Sequence, residues 1–341
     1  MKRRTFIKVV GATTGGVLFV PNILTNVYSA TDDPLPNKEL PKRPLGKTGL
    51  MISTAAFSGF ALNKYEQEEC NAGVKRAFDR GVNYFDVAPA YGESENRMGI
   101  ALQGIDRSKY YLACKTKMRD AKGAMEEMER SLKRLKTDYF DVYQLHHLRK
   151  PEEVEKAFGP GGAMEAILKA KEQDKVRFIG FSAHTTKAAL EAMKQFKFDT
   201  VMFPISFVEY YRLDFGKAVL EEAKKQGAGV LAIKAMSTGL LPQGEKPTRN
   251  WWYRSAENQE EVNLVTRFPL SFEQVSAIFA PAFLDLVDKA IVAAKQFRPI
   301  TDEEKNKLKE FAQKCASLFK REEDQVTFLY RQWNSFATPY C

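Results

Sequence analysis

Asp86, Tyr91, Lys115 and His146 supply a carboxylate, a phenol, an ammonium and an imidazole within the first half of a 341-residue chain. These four types have a clear joint use. A phenol hands a proton to a carbonyl oxygen while hydride reaches the carbonyl carbon. A free tyrosine, with a pKa of about 10, is a sluggish acid–base group at neutral pH. An ammonium beside it stabilises the phenolate and draws that pKa down. Lys115 fits this part, with Asp86 fixing the lysine and balancing its charge. His146 would hydrogen-bond the carbonyl oxygen and orient it.

Such groups need mounts that bring them to one place. Short apolar runs at 51–58, 83–89, 110–117, 139–147, 176–184, 200–206, 229–236 and 275–281 have the pattern of buried strands. Helical patterns separate or follow them at 67–80, 93–102, 121–135, 163–173, 187–195, 216–226, 259–268 and 283–297. Near-continuously apolar strands alternating with helices predict a parallel sheet covered on its outside. Eight units in series favour closure, so the expected fold is α/β, a (β/α)8 TIM barrel over 43–300. Asp86, Lys115 and His146 then stand at the ends of strands two, three and four, and Tyr91 in the loop after strand two. An open doubly wound sheet would carry a G-x-G-x-x-G turn after its first strand; Gly59-Phe60-Ala61 stands there instead. A last helix at 302–320 opens on Thr301 and Glu304, a capping box. It belongs to a C-terminal helix and tail over 301–341 that ends aromatic-rich.

The first thirty residues are read as an address. Lys2-Arg3-Arg4, an apolar run to Leu24 and the small pair Ser29-Ala30 make a signal peptide over 1–30. Arg3-Arg4-Thr5-Phe6-Ile7-Lys8 resembles the twin-arginine consensus. That resemblance implies the export machinery as a partner, passage in the folded state, and a periplasmic or otherwise exported protein. Gly11, Gly15, Gly16 and Pro21 break the apolar run, and no later stretch is long enough to span a bilayer. A linker follows over 31–42. Four of the nine net positive charges lie in Lys2, Arg3, Arg4 and Lys8; elsewhere bases alternate with acids, which argues against nucleic acid as a partner. Cys70, Cys114, Cys315 and Cys341 have no zinc spacing, and their pairing is open.

Phe85-Asp86-Val87-Ala88-Pro89-Ala90-Tyr91-Gly92 resembles the aldo-keto reductase signature F-D-T-A-x-x-Y-G, continued by Glu93 to Gly99. Ala113-Cys114-Lys115 is similar to that family's A-T-K, and 138–146 to D-Y-[IL]-D-x-Y-x-[IL]-H. Arg43 to Leu50 resembles its R-x-L-G-x-T-G-L hairpin. The resemblance spans about 42–300 with four motifs in order. It implies an N-terminal hairpin on the barrel, a catalytic tetrad of Asp86, Tyr91, Lys115 and His146, and NADP or NAD as cofactor.

The cofactor side departs from the family pattern. Where G-x-S-N is usual, Gly180-Phe181-Ser182-Ala183 stands, keeping Ser182 and losing the Asn. Met202 replaces a Gln that meets the nicotinamide amide. Ile233, then Lys234-Ala235-Met236-Ser237, replace a stacking Tyr and S-P-L-G, leaving Lys234 and Met236 on the pyrophosphate side. After Ile278 no basic residue comes until Lys289, so the usual cation for a 2′-phosphate is missing.

The first expectation is therefore an exported oxidoreductase interconverting a carbonyl and an alcohol, on a small molecule such as a sugar. The alternative is a non-catalytic binding protein of the same fold. A metal or imine enzyme using Asp86, His146 and His184, or Lys115 or Lys234, ranks below both, because the ligand set is thin. His147 is expected in the core or exposed; His184 either lines the mouth or packs. Trp251, Trp252 and Tyr253, after strand seven, either stack on a substrate or close their own loop.

Overall fold

The computed structural model describes residues 34–242 and 244–326. The expected export signal at 1–30, the start of the linker, Cys341 and the aromatic tail at 328–340 lie outside them.

The described chain opens with an antiparallel hairpin, β1 (Lys42–Pro44) and β2 (Met51–Ser53), in which Arg43 faces Ile52. Eight parallel strands follow: β3 (Ala55–Ser58), β4 (Tyr84–Asp86), β5 (Tyr111–Thr116), β6 (Phe140–Leu148), β7 (Val176–Ala183), β8 (Thr200–Pro204), β9 (Gly229–Ile233) and β10 (Val275–Phe279). Each pairs with the next, and β10 pairs with β3, closing the barrel. The run expected as one strand over 51–58 is thus two. At Thr54 the chain leaves the hairpin, its N–H donating to the Pro41 carbonyl at 2.9 Å, before it enters the barrel.

Helices between the strands cover the outside: α1 (Gln67–Asp79), α2 (Ser94–Ala101), α3 (Ala121–Leu135), α4 (Pro151–Phe158), α5 (Ala163–Glu172), α6 (Thr186–Gln195), α7 (Phe207–Leu213), α8 (Lys217–Gln226), α9 (Gln259–Leu270), α10 (Leu284–Lys295) and α11 (Asp302–Gln313). Their starts are written locally. Asp120 accepts from the Gly123 N–H at 2.8 Å, Asn258 from Glu261 at 2.9 Å, and Thr301 closes the expected capping box with Glu304. Among the described residues no helix is long and apolar enough to cross a membrane.

Two apolar layers result. The larger lies between strands and helices. The smaller fills the barrel with Ala56, Tyr84, Ala113, Val142, Met202, Leu231, Ala277 and Phe279, and it also holds Leu45 and Ile52 of the hairpin, neither exposed at all. The hairpin stoppers the N-terminal end of the barrel. Gly46, at φ +54°, comes so near β9 that a Cβ there would sit 2.3 Å from the Gly229 nitrogen. Glycine is needed at that turn.

The helix expected over 302–320 ends at Gln313, and the chain is helical again from 320. The chain turns at Cys315 so that Ala316 bridges Leu240, and buried Glu209 of α7 binds Ser317 and the Leu318 N–H. Phe319 then stacks on Phe215 and reaches His184, with centroids 5.3 Å apart in both cases. Cys70, Cys114 and Cys315 are buried free thiols.

Candidate active site

Side chains alternate faces along a strand, so a residue two beyond an inward one also points inward, one layer nearer the C-terminal mouth. Tyr84 is followed in this way by Asp86, Ala113 by Lys115, and Val142 by Gln144 and then His146. All are buried. Tyr91 arrives from a single helical turn, Pro89–Tyr91, pinned by its N–H to the Ala88 carbonyl at 3.0 Å and by Ser94 Oγ donating to its carbonyl at 2.7 Å.

The four residues converge. Lys115 Nζ donates to Asp86 Oδ1 and lies 5.7 Å from the Tyr91 ring centroid. The Tyr91 and His146 rings meet edge to face at 5.6 Å. Gln144, not anticipated from the sequence, donates from Nε2 to Asp86 Oδ2 at 3.1 Å. Its signal was there: it stands two residues before His146 on the same strand face. Phe60 packs edge to face on Tyr91 at 4.8 Å, and Trp251 on Phe60 at 5.5 Å, which fixes the phenol from the solvent side. Arg119 Nη2 donates to the His146 carbonyl at 2.8 Å.

The electrostatics differ from expectation in one respect. Burial, with the Asp86 carboxylate nearby, holds the Tyr91 phenol well above 10, where the neighbouring ammonium was expected to draw it down. Lys115 has its carboxylate partner in contact, and the pair presents little net charge to the phenol. Burial, then the Lys115 charge, keeps His146 far below 6.5 and neutral. Its Nδ1 has no protein partner. The site thus presents a protonated phenol and a neutral imidazole side by side, a pair able to donate a proton to, and hydrogen-bond, one oxygen.

Above them a cavity of about 300 Å³ opens at the mouth, within the usual range for a small-ligand site. Tyr91 and His146 line it, as do Ser182, Met202, Lys234, His147 and His184. His147 was expected in the core or exposed; at φ +62° it instead turns onto the cavity wall, its N–H donating to Ser182 Oγ at 2.7 Å. Its ring meets His184 edge to face at 4.2 Å. Met202 Sδ lies 3.9 Å from Lys115 Nζ. Met236 is fully buried in the larger apolar layer and is absent from the wall. The aromatic loop comes to the mouth: Trp251, Trp252 and Tyr253 all line the cavity, Tyr253 packing against both tryptophans and only 4% exposed. Among the described residues no three His, Cys, Asp or Glu side chains converge as a metal would require.

The chain has known relatives. The chain is 28% identical over 225 residues to L-galactose dehydrogenase of Arabidopsis thaliana, a match covering 60% of this chain and 68% of that one. It is 29% identical over 207 residues to the aldo-keto reductase YhdN of Bacillus subtilis, covering 56% and 59%. An aldo-keto reductase of Bacillus halodurans, solved in its holo form, superposes with a TM-score of 0.66 at 23% identity over 84% of this chain and all of that one, a likeness of fold. The sequence profile of the Aldo/keto reductase family matches residues 50–314, which takes in the whole closed barrel and every residue of the tetrad. On that match this chain belongs to the aldo/keto reductase family.

Proposed function

We propose that this protein interconverts a carbonyl and an alcohol by hydride transfer, with Tyr91 as the proton donor. The observation that carries the reading is the meeting of the Tyr91 ring with His146 on one side and the Lys115–Asp86 pair on the other, at an open cavity. Tyr91 gives its proton to the substrate oxygen. His146, neutral, hydrogen-bonds the same oxygen. Lys115, Asp86 and Gln144 hold the floor in place.

The cavity fits the nicotinamide half of NADP or NAD: Met202, Ile233 and Phe279 offer an apolar shelf, and Ser182 offers a hydroxyl. When bound, that group exchanges hydride with the carbonyl carbon. The nucleotide end fits NADP less well. Lys289 Nζ donates to the Glu257 carbonyl, and Arg249 is held by Asp285 and Glu257. The similarity to L-galactose dehydrogenase supports a sugar as substrate. Titration of the purified protein with NADH and NADPH, followed by fluorescence, tests the reading. Saturable binding of at least one is expected; binding of neither, with none co-purifying, removes it.

The missing Asn at Ala183 and the missing Gln at Met202 favour a second reading, a binding protein without turnover. It requires that Tyr91→Phe leave the protein's cellular function unchanged.

The twin-arginine resemblance supports export as a folded protein. Replacing Arg3 and Arg4 together by Lys should retain the protein in the cytosol on cell fractionation; unchanged export would refute it.

A further inference from the structure

The cavity wall carries Lys117, Lys234 and all three histidines of the chain, and among the described residues no carboxylate. Asp86, in the floor, is held by Lys115 and Gln144. Lys234 is the distinctive group. It makes no ion pair among the described residues, and its ammonium lies against the faces of Trp252, at 5.1 Å, and Tyr253, at 4.9 Å. Lys234 is half-buried, and even partial loss of water without a counter-ion is costly to a cation. Rings offset only part of that cost. Burial accordingly pulls its pKa down to about 8.

The backbone adds a second sign. Lys234 sits at φ +60° and His147 at φ +62°, left-handed conformations that side chains other than glycine rarely adopt. Both lie at or beside a strand's C-terminal end and both are on the cavity wall. Strain kept at a cavity points to function rather than packing.

Position then says which end of a ligand the lysine meets. In the cyclic strand order, β9 stands four places from β5, directly across the barrel. The proton-donating end is built on β5 and its neighbours β4 and β6. His147 and His184 line the way between.

We propose that the cavity takes a carbonyl compound bearing an anionic group at its far end, as in a uronic acid, with Lys234 holding that group against Trp252. The inference rests on the redox reading of the site and names its substrate class. It also moves Lys234 from the cofactor's pyrophosphate, where the sequence placed it, to the substrate.

The test compares D-glucuronate with D-glucose, which differ at one carbon, as carboxylate against hydroxymethyl. Wild-type protein should reduce glucuronate with a kcat/KM at least tenfold above that for glucose. Lys234→Met should bring the ratio near one, and Lys234→Arg should restore most of it. A wild-type ratio near one overturns the proposal. So does a Lys234→Met variant that keeps the ratio but loses affinity for NADH and NADPH, for then the lysine serves the nucleotide. If neither sugar is reduced, the redox reading is at fault, and equilibrium binding decides the inference. Quenching of tryptophan fluorescence by glucuronate but not glucose, lost in Lys234→Met, upholds it; equal or absent quenching by both overturns it.

Discussion

The Lys115 ammonium faces the Tyr91 ring at 5.7 Å but is bound to Asp86, so its charge is balanced before it reaches the phenol. Tyr91 remains protonated through the neutral range. A protonated acid suits reduction, and its loss above its pKa would end that activity. With a neutral carbonyl substrate, kcat/KM for reduction should therefore stay level from about pH 6 to about pH 9. A fall centred between 7 and 8 would show a phenol tuned downward after all.

Removing the Tyr91 hydroxyl tests the proton donor itself. Tyr91→Phe should lower kcat by about 10²–10⁴-fold. The ring contacts with Phe60 and His146 survive, so Tm should hold. A loss of less than tenfold with intact cofactor binding would take Tyr91 out of the reaction.

The Lys115–Asp86 pair is fully buried, and breaking it strands a charge. Asp86→Asn and Lys115→Met should each cost about 3–5 kcal/mol in urea unfolding. The double variant should cost less than the two together, because no lone charge remains. Strict additivity would mean that the two groups do not act on one another.

Acid should weaken the fold through its histidines. Burial lowers His147 to about 4 and holds His146 and His184 well below 6.5. Between those values and 6.5 the unfolded chain binds more protons than the folded one, so stability rises with pH through that window and falls as pH drops through it. His147, partly open to solvent, accounts for on the order of 2 kcal/mol. Scanning calorimetry should find a lower Tm at pH 5 than at pH 7, and a smaller difference in His147→Gln. Equal Tm values at both pH values would contradict the buried, neutral triad.

Ala282 stands where the family pattern puts a cation for the 2′-phosphate, and Asp285, three residues on in the first turn of α10, is paired with Arg249. A charge-assisted bond to such a group is worth about 1.5–3 kcal/mol. Without it NADPH should bind no more tightly than NADH. A tenfold preference for NADPH would show that the Arg249–Asp285 pair opens to receive it.

How much of this was legible in the sequence depended on the length of the pattern. α3 was read to its ends, because fifteen residues carry a regular apolar stripe and Asp120 caps it. α4 and α7 were missed: α4 buries only Val154 and Ala157 and α7 only Phe207, Val208 and Glu209, too few to show a period, whereas α2, as short as α4, buries five. The early end of α11 is a tertiary effect: Glu209 and Leu240, far away in sequence, turn the chain at 315–318. The four residues were legible because Asp86, Lys115 and His146 come at successive strand ends, with Tyr91 in the loop after the first of them. His147 was not, because its side chain owes its direction to a left-handed backbone that no periodicity announces. Gln144 required only that the alternation from Val142 to His146 be followed through the residue between them.

Leu45 and Ile52 give the barrel a closed base, and the consequence is traffic. Among the described residues the hairpin shuts that end, and the cavity opens at the C-terminal mouth. Whatever goes deepest must arrive first and leave last, and the aromatic residues from 251 to 253 stand at the threshold where that queue forms.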